Sequence, residues 1–474
     1  MQNQTYKIYS AGNFITSSHS LEVKNPFDHS LVARTYLADE GILEEAITKA
    51  LSVKEELQKL SAQKKHDILK QISEEIYKNR NALAEILSLE SAKPIKYALA
   101  EIERSAYTFL IAAAESKLIP TEHIELERIH HTDQREGTVN YFPIGLIAGI
   151  APYNFPLNLA VHKIAPAIAS GCPIILKPAS RTPLSCLELA KIIDKTELPK
   201  RAVSILPMDR ETGNLLVTDD RFKLLSFTGS PDIGWKMKAQ CGKKKVVLEL
   251  GGNAATIITK TADLKDTLPK SLMGAFAYSG QICIHAQRFI VHSTIYEIVV
   301  NELTSLAREL KSGNPLDAST DVSNMIDEAN AIRVENWINE AIQQGAQLMC
   351  GGKRTGSFIE PTILANCNHT MKVYAEEVFG PVICINSYET IEDAIQQANQ
   401  TKFGLQCGVF TNNQEELDQC FKQIEVGGVI HNHVPTLRYD QMPYGGVKDS
   451  GLGREGVKYA MLDMLEPKIL VKSI

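Results

Sequence analysis

Three residues of this chain have the types and settings of a reacting centre: Cys283, Glu249 and Asn154. Cys283 lies in SGQICIHAQRFIVH, 279–292, just before a segment that reads as a strand. A free thiol is either a small buried hydrophobe or, where its thiolate is favoured, a nucleophile. Glu249 interrupts the apolar strand of VVLELGG, 246–252, ahead of two glycines. A buried carboxylate must be paired, protonated or open to a cavity, so Glu249 is half of a structural ion pair or a general base whose pKa is raised by desolvation. Asn154, in PYNFPLN, stands between an apolar strand and a helix. Its amide suits a developing oxyanion, and an ordinary helix-capping role fits it equally.

A second group of motifs suits a phosphate-bearing ligand. FTGSPDIG, 227–234, follows the strand KLLSF and opens a helix, with Ser230 at the N-cap, Pro231 at the first helical position and Asp232 in the first turn. Gly229 lets a ligand approach the backbone, and a helix start after a parallel strand is a natural phosphate site, although a well-capped turn reads the same way. KPAS, 177–180, puts Lys177 at the strand edge where open α/β sheets bind ligands. EEVFGP, 376–381, adds Glu377 and Phe379. GLGREG, 451–456, matches G-x-G-x-x-G but follows the polar loop VKDS rather than a strand, so it reads as a mobile or tightly turned loop. HNH, 431–433, has no companion ligands, and no metal site is expected.

The elements that must position these residues read as α/β. Helical periodicity runs from Glu40 to about Ser116, with Leu43, Ile47, Ala50 and Leu51 on one face and Ile68, Leu69, Ile72 and Ile76 on another, interrupted at Lys93 and Pro94. From Gly145 to Leu250, short continuous apolar strands alternate with helices, which implies a parallel sheet covered on both faces. A second such stretch spans about 287 to 430. Between His123 and Phe142, Ile124, Leu126 and Ile129 alternate with polar residues, then REG, then TVNYF: two strands joined by a turn. These strands and the terminal KILVKSI suggest an edge or an oligomer contact.

Hydrophobic residues make up 44% and charged residues 22%, an ordinary globular balance, and 474 residues suffice for two or three domains. A net charge of −6 gives no general pull toward nucleic acid or anionic membrane. The N-terminal MQNQTYKIYSAG lacks the apolar core of a secretory signal, and no uninterrupted apolar run is long enough to span a bilayer. Nine widely spaced cysteines without a CxxC pair argue against a disulfide framework or structural zinc, and a reduced, cytoplasmic compartment is expected.

Taken together, PYNFP, ILKPAS, FTGSPDIG, LELGGN, GQICI, EEVFGPV, FGLQCGVF and MPYGGVKDSGLGREG resemble the aldehyde dehydrogenase superfamily in order and spacing, over about 140 to 456. The resemblance implies a Rossmann-like cofactor domain (1–119 and 140–249), a catalytic α/β domain (250–454) and a small β oligomerisation arm (120–139 and 455–474), assembled as a homodimer or homotetramer. It implies Cys283 as the nucleophile toward an aldehyde, the Asn154 amide and the Cys283 backbone N–H as oxyanion donors, and Glu249 as the activator of the water that hydrolyses the thioester. It assigns Lys177, also counted among the catalytic residues, and Glu377 to the riboses of the dinucleotide. Gly229 and Ser230 fall by the pyrophosphate and Phe379 by the nicotinamide. Because Glu249 is present, water rather than coenzyme A is the expected acyl acceptor.

Many NAD-preferring relatives carry glutamate after KPA; Ser180 stands there, followed by Arg181, so NADP is expected to be accepted as well as or instead of NAD. The resemblance is closest to the lactaldehyde, phosphonoacetaldehyde and nonphosphorylating glyceraldehyde-3-phosphate branch. It makes His162, Arg104 and Arg438 the substrate-reading positions, for a small hydroxyaldehyde or one with an anionic tail. Two other readings stay open: a cofactor-independent cysteine hydrolase with His285 as its base, and a catalytically silent member of the superfamily.

Overall fold

The computed structural model describes residues 4–126 and 135–473. Two large sheets carry the chemistry-bearing residues. In the first, the strands Lys245–Glu249, Leu224–Thr228, Ile147–Ile150, Ile174–Lys177 and Val203–Ile205 run parallel in that order. Antiparallel segments extend it at both edges: Ile8–Ser10 and Asn13–Ile15 beyond Val203–Ile205, and Gly451–Leu452 beyond Lys245–Glu249. The second has the order Gln347–Cys350, Thr362–Ala365, Val382–Tyr388, Ala286–His292, Ala254–Ile258, Gln406–Phe410, Gly428–His431, parallel except at its first edge. The central strands are buried and mostly apolar because helices cover both faces.

The periodic N-terminal region forms the helices Glu40–Ser52, Lys54–Lys59, Ala62–Lys78, Arg80–Ser91 and Ile95–Glu115, and the break falls at Lys93 and Pro94 as the proline requires. Every residue of the helix Pro156–Ser170 is buried, including Asn158, His162 and Lys163. Polar side chains in that setting need partners: the Asn158 amide lies 3.5 Å from the Thr108 hydroxyl, and His162 and Lys163 find theirs in the site described below.

A three-stranded sheet of Thr121–Leu126, Arg135–Pro143 and Leu465–Ser473 stands apart from both large sheets. REG, 135–137, is the start of its middle strand rather than part of a turn: Gly137 pairs with both Ile124 and Val471. Ile129 lies outside the described residues. GLGREG is partly ordered as an edge strand, since Gly451 and Leu452 pair with Glu249 and Leu248. No helix among the described residues is long and apolar enough to cross a membrane.

Candidate active site

Cys283 sits in the short connection between the turn Ala277–Gly280 and the strand Ala286–His292. Tyr278 and Ser279, both buried, adopt left-handed φ values of 49° and 53°, a conformation that non-glycine residues hold only when their surroundings impose it. Seven of the other cysteines are buried, whereas Cys283 is half-buried, and its sulfur lies 3.0 Å from the Tyr444 hydroxyl. Burial pushes the Cys283 thiol up to about 11; the Tyr444 hydrogen bond and the Arg438 cation oppose that rise, and the Glu377 and Glu249 carboxyls add to it.

The Asn154 amide donates to the Gln281 carbonyl, two residues before the cysteine, at 3.0 Å. A pair the sequence reading missed holds Asn154 in turn. Lys93 is fully buried, donates to the Asn154 carbonyl at 2.7 Å and pairs with Glu101, and it lies over the rings of Phe155 and Tyr278. Glu101 accepts the backbone N–H groups of Leu157 and Asn158, each at 3.1 Å, in the first turn of the buried helix. One ion pair thus ties Asn154 to the helix start and to the segment leading to Cys283.

Glu249 ends its strand beside Gly251 and Gly252. A Cβ on Gly251 would lie 2.2 Å from a Glu377 carboxylate oxygen, and one on Gly252 would lie 2.3 Å from the Cys283 carbonyl. The two glycines are therefore what lets the first sheet approach the cysteine loop. Both Glu249 carboxyl oxygens are buried without a hydrogen-bond partner among the described residues, so the carboxyl is not half of a structural ion pair. Burial, aided by the nearby Glu455 charge, holds its pKa well above the usual carboxylate range, against the pull of Arg438, Lys163 and Arg454.

The dinucleotide candidates divide between two places. Lys177 and Ser180 line a cavity of about 740 Å³ with Met208, Arg210, Phe227 and Lys236. The Lys177 ammonium makes no hydrogen bond or ion pair among the described residues, and Ser180 donates to the Met208 carbonyl at 3.4 Å. Arg181 instead pairs with Asp327 at 3.0 Å, away from this cavity, so the cations it holds ready are Lys177, Arg210 and Lys236; Glu211 also lines it. Ser230 is the N-cap of Pro231–Gln240 by backbone geometry but makes no side-chain capping bond, because its hydroxyl finds no first-turn N–H. Gly229 donates its N–H to the Glu249 carbonyl at 3.0 Å. At the second place Glu377 accepts the Gly252 N–H at 2.9 Å, its pKa raised to about 7 by burial, and Phe379 packs edge-on against Tyr153.

The three substrate candidates converge. Asp440, buried, accepts from Arg104 at 2.7 Å and bonds His162 at 2.9 Å, with Arg438 Nε 3.7 Å from the same carboxylate oxygen. Arg438 also pairs with Glu455 at 3.1 Å, and Glu455 with Lys163 at 3.0 Å. The Arg438 guanidinium lies 3.8 Å from the centre of the Tyr444 ring, which joins this charged cluster to Cys283. Asp440, Tyr444 and Glu455 escaped the sequence reading. Tyr444 and Glu455 lie within the run MPYGGVKDSGLGREG, and Asp440 lies two residues upstream of it, beside Arg438.

His285 bonds the Ala275 carbonyl at 2.7 Å and has no bond to Cys283; burial lowers its pKa to about 4. A hydrolase with His285 as the base for this thiol is therefore not the arrangement found. Among the described residues no group of three or more His, Cys, Asp or Glu is placed to hold a metal ion.

The molecule thus carries a thiol under the electrostatic influence of the buried Glu249 carboxyl and, at the ends of Ile147–Ile150 and Ile174–Lys177, a cavity supplied with cations. Residues 14–470 match the model of the aldehyde dehydrogenase family. The chain belongs to that family. The 3-sulfolactaldehyde dehydrogenase of Priestia aryabhattai is 38% identical over 474 residues, covering 100% of this chain and 99% of that protein. Among solved structures, aldehyde dehydrogenase 21 of Physcomitrella patens, in complex with its reaction product succinate, superposes with a TM-score of 0.98 at 43% identity, over 100% of this chain and 99% of that one. The glyceraldehyde-3-phosphate dehydrogenase GapN of Methanocaldococcus jannaschii, complexed with NADP, gives 0.92 at 37% identity over 96% and 99%. This aldehyde dehydrogenase thus has the α/β fold of its family.

Proposed function

We propose that this aldehyde dehydrogenase oxidises a small aldehyde bearing an anionic tail to the carboxylate, with NADP as acceptor and NAD as the lesser alternative. The observation that carries the substrate class is the convergence of Arg104 and Arg438 on one carboxylate beside the Cys283 loop. Arg104, Arg438 and Lys163 face Asp440 and Glu455, both held low despite burial by these cations and His162, and Glu249, which burial pushes toward its neutral form, so the cluster leans positive. Arginine presents a planar fork that matches a carboxylate or sulfonate. The sulfonated aldehyde acted on by the Priestia relative and the succinate bound by the moss enzyme agree with this reading. A neutral hydroxyaldehyde such as lactaldehyde is the second reading, favoured by the fact that Asp440 already engages both arginines and His162.

The cavity residues fit a dinucleotide phosphate: an unpartnered lysine, Lys177, stands beside Ser180, with Arg210 and Lys236 on the same wall. Lys177 and Glu377 would hold the riboses, Gly229 and Ser230 the pyrophosphate region, Phe379 the nicotinamide end, and Ser180 with Arg210 a 2′-phosphate. The bound dinucleotide supplies the hydride acceptor. Cys283, as thiolate, attacks the carbonyl carbon, and the Asn154 amide hydrogen not given to Gln281, with the Cys283 backbone N–H, meets the oxyanion. After oxidation the acyl group remains on sulfur as a thioester. Glu249, in its ionised form and with no internal partner for its carboxylate, takes a proton from water; the hydroxide adds to the acyl carbon, the C–S bond breaks and the electron pair stays on sulfur. Nine free cysteines suit a reduced, cytoplasmic setting. The exposed strand Leu465–Ser473 suits the contact of a homodimer or homotetramer.

The test is a panel of aldehydes matched in length, with and without a terminal carboxylate or sulfonate. Arg104→Gln is expected to lower kcat/KM for the anionic members by about 10- to 100-fold, the worth of one charged hydrogen-bonded contact, and to leave the neutral ones nearly unchanged. Preference of the wild-type enzyme for lactaldehyde over every anionic aldehyde would overturn the substrate class.

A further inference from the structure

We infer that Tyr444 is a catalytic residue whose hydroxyl donates to the Cys283 sulfur and sets the reactivity of the nucleophile. The assignment rests on Cys283 being that nucleophile and goes beyond it by naming what governs the thiolate.

Tyr444 is buried, its ring packed with Ile284 and Leu405. A ring that only filled this space would need no oxygen, and a buried hydroxyl without a partner is unfavourable. Among the described residues the Tyr444 hydroxyl has one hydrogen-bond partner, the Cys283 sulfur. The ring cannot drift from it. Tyr444 and Glu455 exchange backbone hydrogen bonds at 3.0 and 2.6 Å, Glu455 is anchored by Lys163 and Arg438, and the Arg438 cation lies on the Tyr444 ring face. A cation on the π face draws electron density from the phenol and strengthens the O–H as a donor.

The direction of donation follows from which group keeps its proton. Burial and the neighbouring Cys283 hold the Tyr444 phenol well above its usual pKa, so it stays protonated when the sulfur ionises. Four groups face the sulfur electrostatically: Tyr444 and Arg438 favour the thiolate, while Glu377 and Glu249 disfavour it. Only Tyr444 does so by a direct bond. The bond matters at two moments, before attack on the carbonyl and when the thioester C–S bond breaks and the sulfur leaves with the electron pair. Between them the sulfur is a thioether or thioester sulfur, a weak acceptor, and holds the hydroxyl loosely.

The experiment measures alkylation of Cys283 by iodoacetamide in the full-length, dinucleotide-free protein from neutral to alkaline pH, with the labelled peptide identified by mass because eight other cysteines are present. Tyr444→Phe is expected to raise the thiol pKa by about one unit or more and to slow alkylation at neutral pH by about tenfold or more. A ring-fluorinated tyrosine at position 444, a stronger donor of the same shape, is expected to speed alkylation. It gives the answer even if the phenylalanine variant folds poorly. Alkylation of the phenylalanine variant at the wild-type rate and pH midpoint, or slowing by the fluorinated one, overturns the assignment. If the wild-type Cys283 is no more reactive than the buried cysteines, the nucleophile reading falls first and takes this one with it.

Discussion

Cys283 and Glu249 are both pushed by burial toward their neutral forms, and the proposed mechanism needs both as anions. With the Cys283 thiol pushed up to about 11, the thiolate is scarce at neutral pH and grows about tenfold per pH unit below that value, so kcat/KM is expected to climb through the neutral range with a slope near one. A flat profile across that range would contradict the assignment of Cys283. Glu249→Gln keeps the shape of the side chain and removes the base. It is expected to release about one equivalent of reduced dinucleotide per active site in a rapid-mixing burst and then stall with the acyl group on sulfur. Undiminished steady turnover would take the water-activating role away from Glu249. Legibility at this scale was uneven. Cys283, Glu249 and Asn154 were readable because each breaks a local pattern: a thiol after glycine, an acid in an apolar strand, an amide at a strand end. Tyr444 and Asp440 break none, and their partners lie 161 residues away at Cys283 and 278 away at His162, a separation no local spacing encodes.

At the level of elements, the alternation of apolar strands and helices from Gly145 to Leu250 was legible because strands covered on both faces carry continuous apolar runs. The boundaries of the three-stranded sheet were not. Arg135 and Glu136 look like turn residues, yet Leu465–Ser473 pairs with them and draws them into a strand. Likewise Lys93 reads from sequence only as a helix interruption, whereas it is a buried residue that donates directly to the Asn154 carbonyl, while its partner Glu101 holds the start of the helix Pro156–Ser170. Removing one partner of such a pair strands the other charge. Glu101→Gln is therefore expected to destabilise the protein by about 3–5 kcal/mol in denaturant unfolding. It should also lower kcat more than it raises KM, because Asn154 loses its seat rather than its amide. A change below about 1 kcal/mol with kcat intact would mean that the Asn154 loop is held by other contacts.

For the whole molecule, the exposed strand Leu465–Ser473 is the feature that one copy leaves unexplained. Ile469, Leu470 and Val471 are each about half exposed, at 48, 52 and 48%, on a strand whose outer edge pairs with no strand among the described residues. The oligomerisation reading predicts that replacing Ile469 and Val471 with aspartate, which charges one face of the strand, lowers the mass found by sedimentation while the thermal unfolding of the large sheets changes little. An unchanged mass would leave the strand without that role.

The pairing of Gly451–Leu452 with Leu248–Glu249, together with the Leu250 N–H given to the Ser450 carbonyl at 3.0 Å, stitches the returning chain onto the spine of the first sheet. Glu249 is consequently gripped by its backbone from both sides, by Thr228 and by Gly451, so a carboxyl without a hydrogen bond of its own among the described residues keeps its place without any side-chain partner.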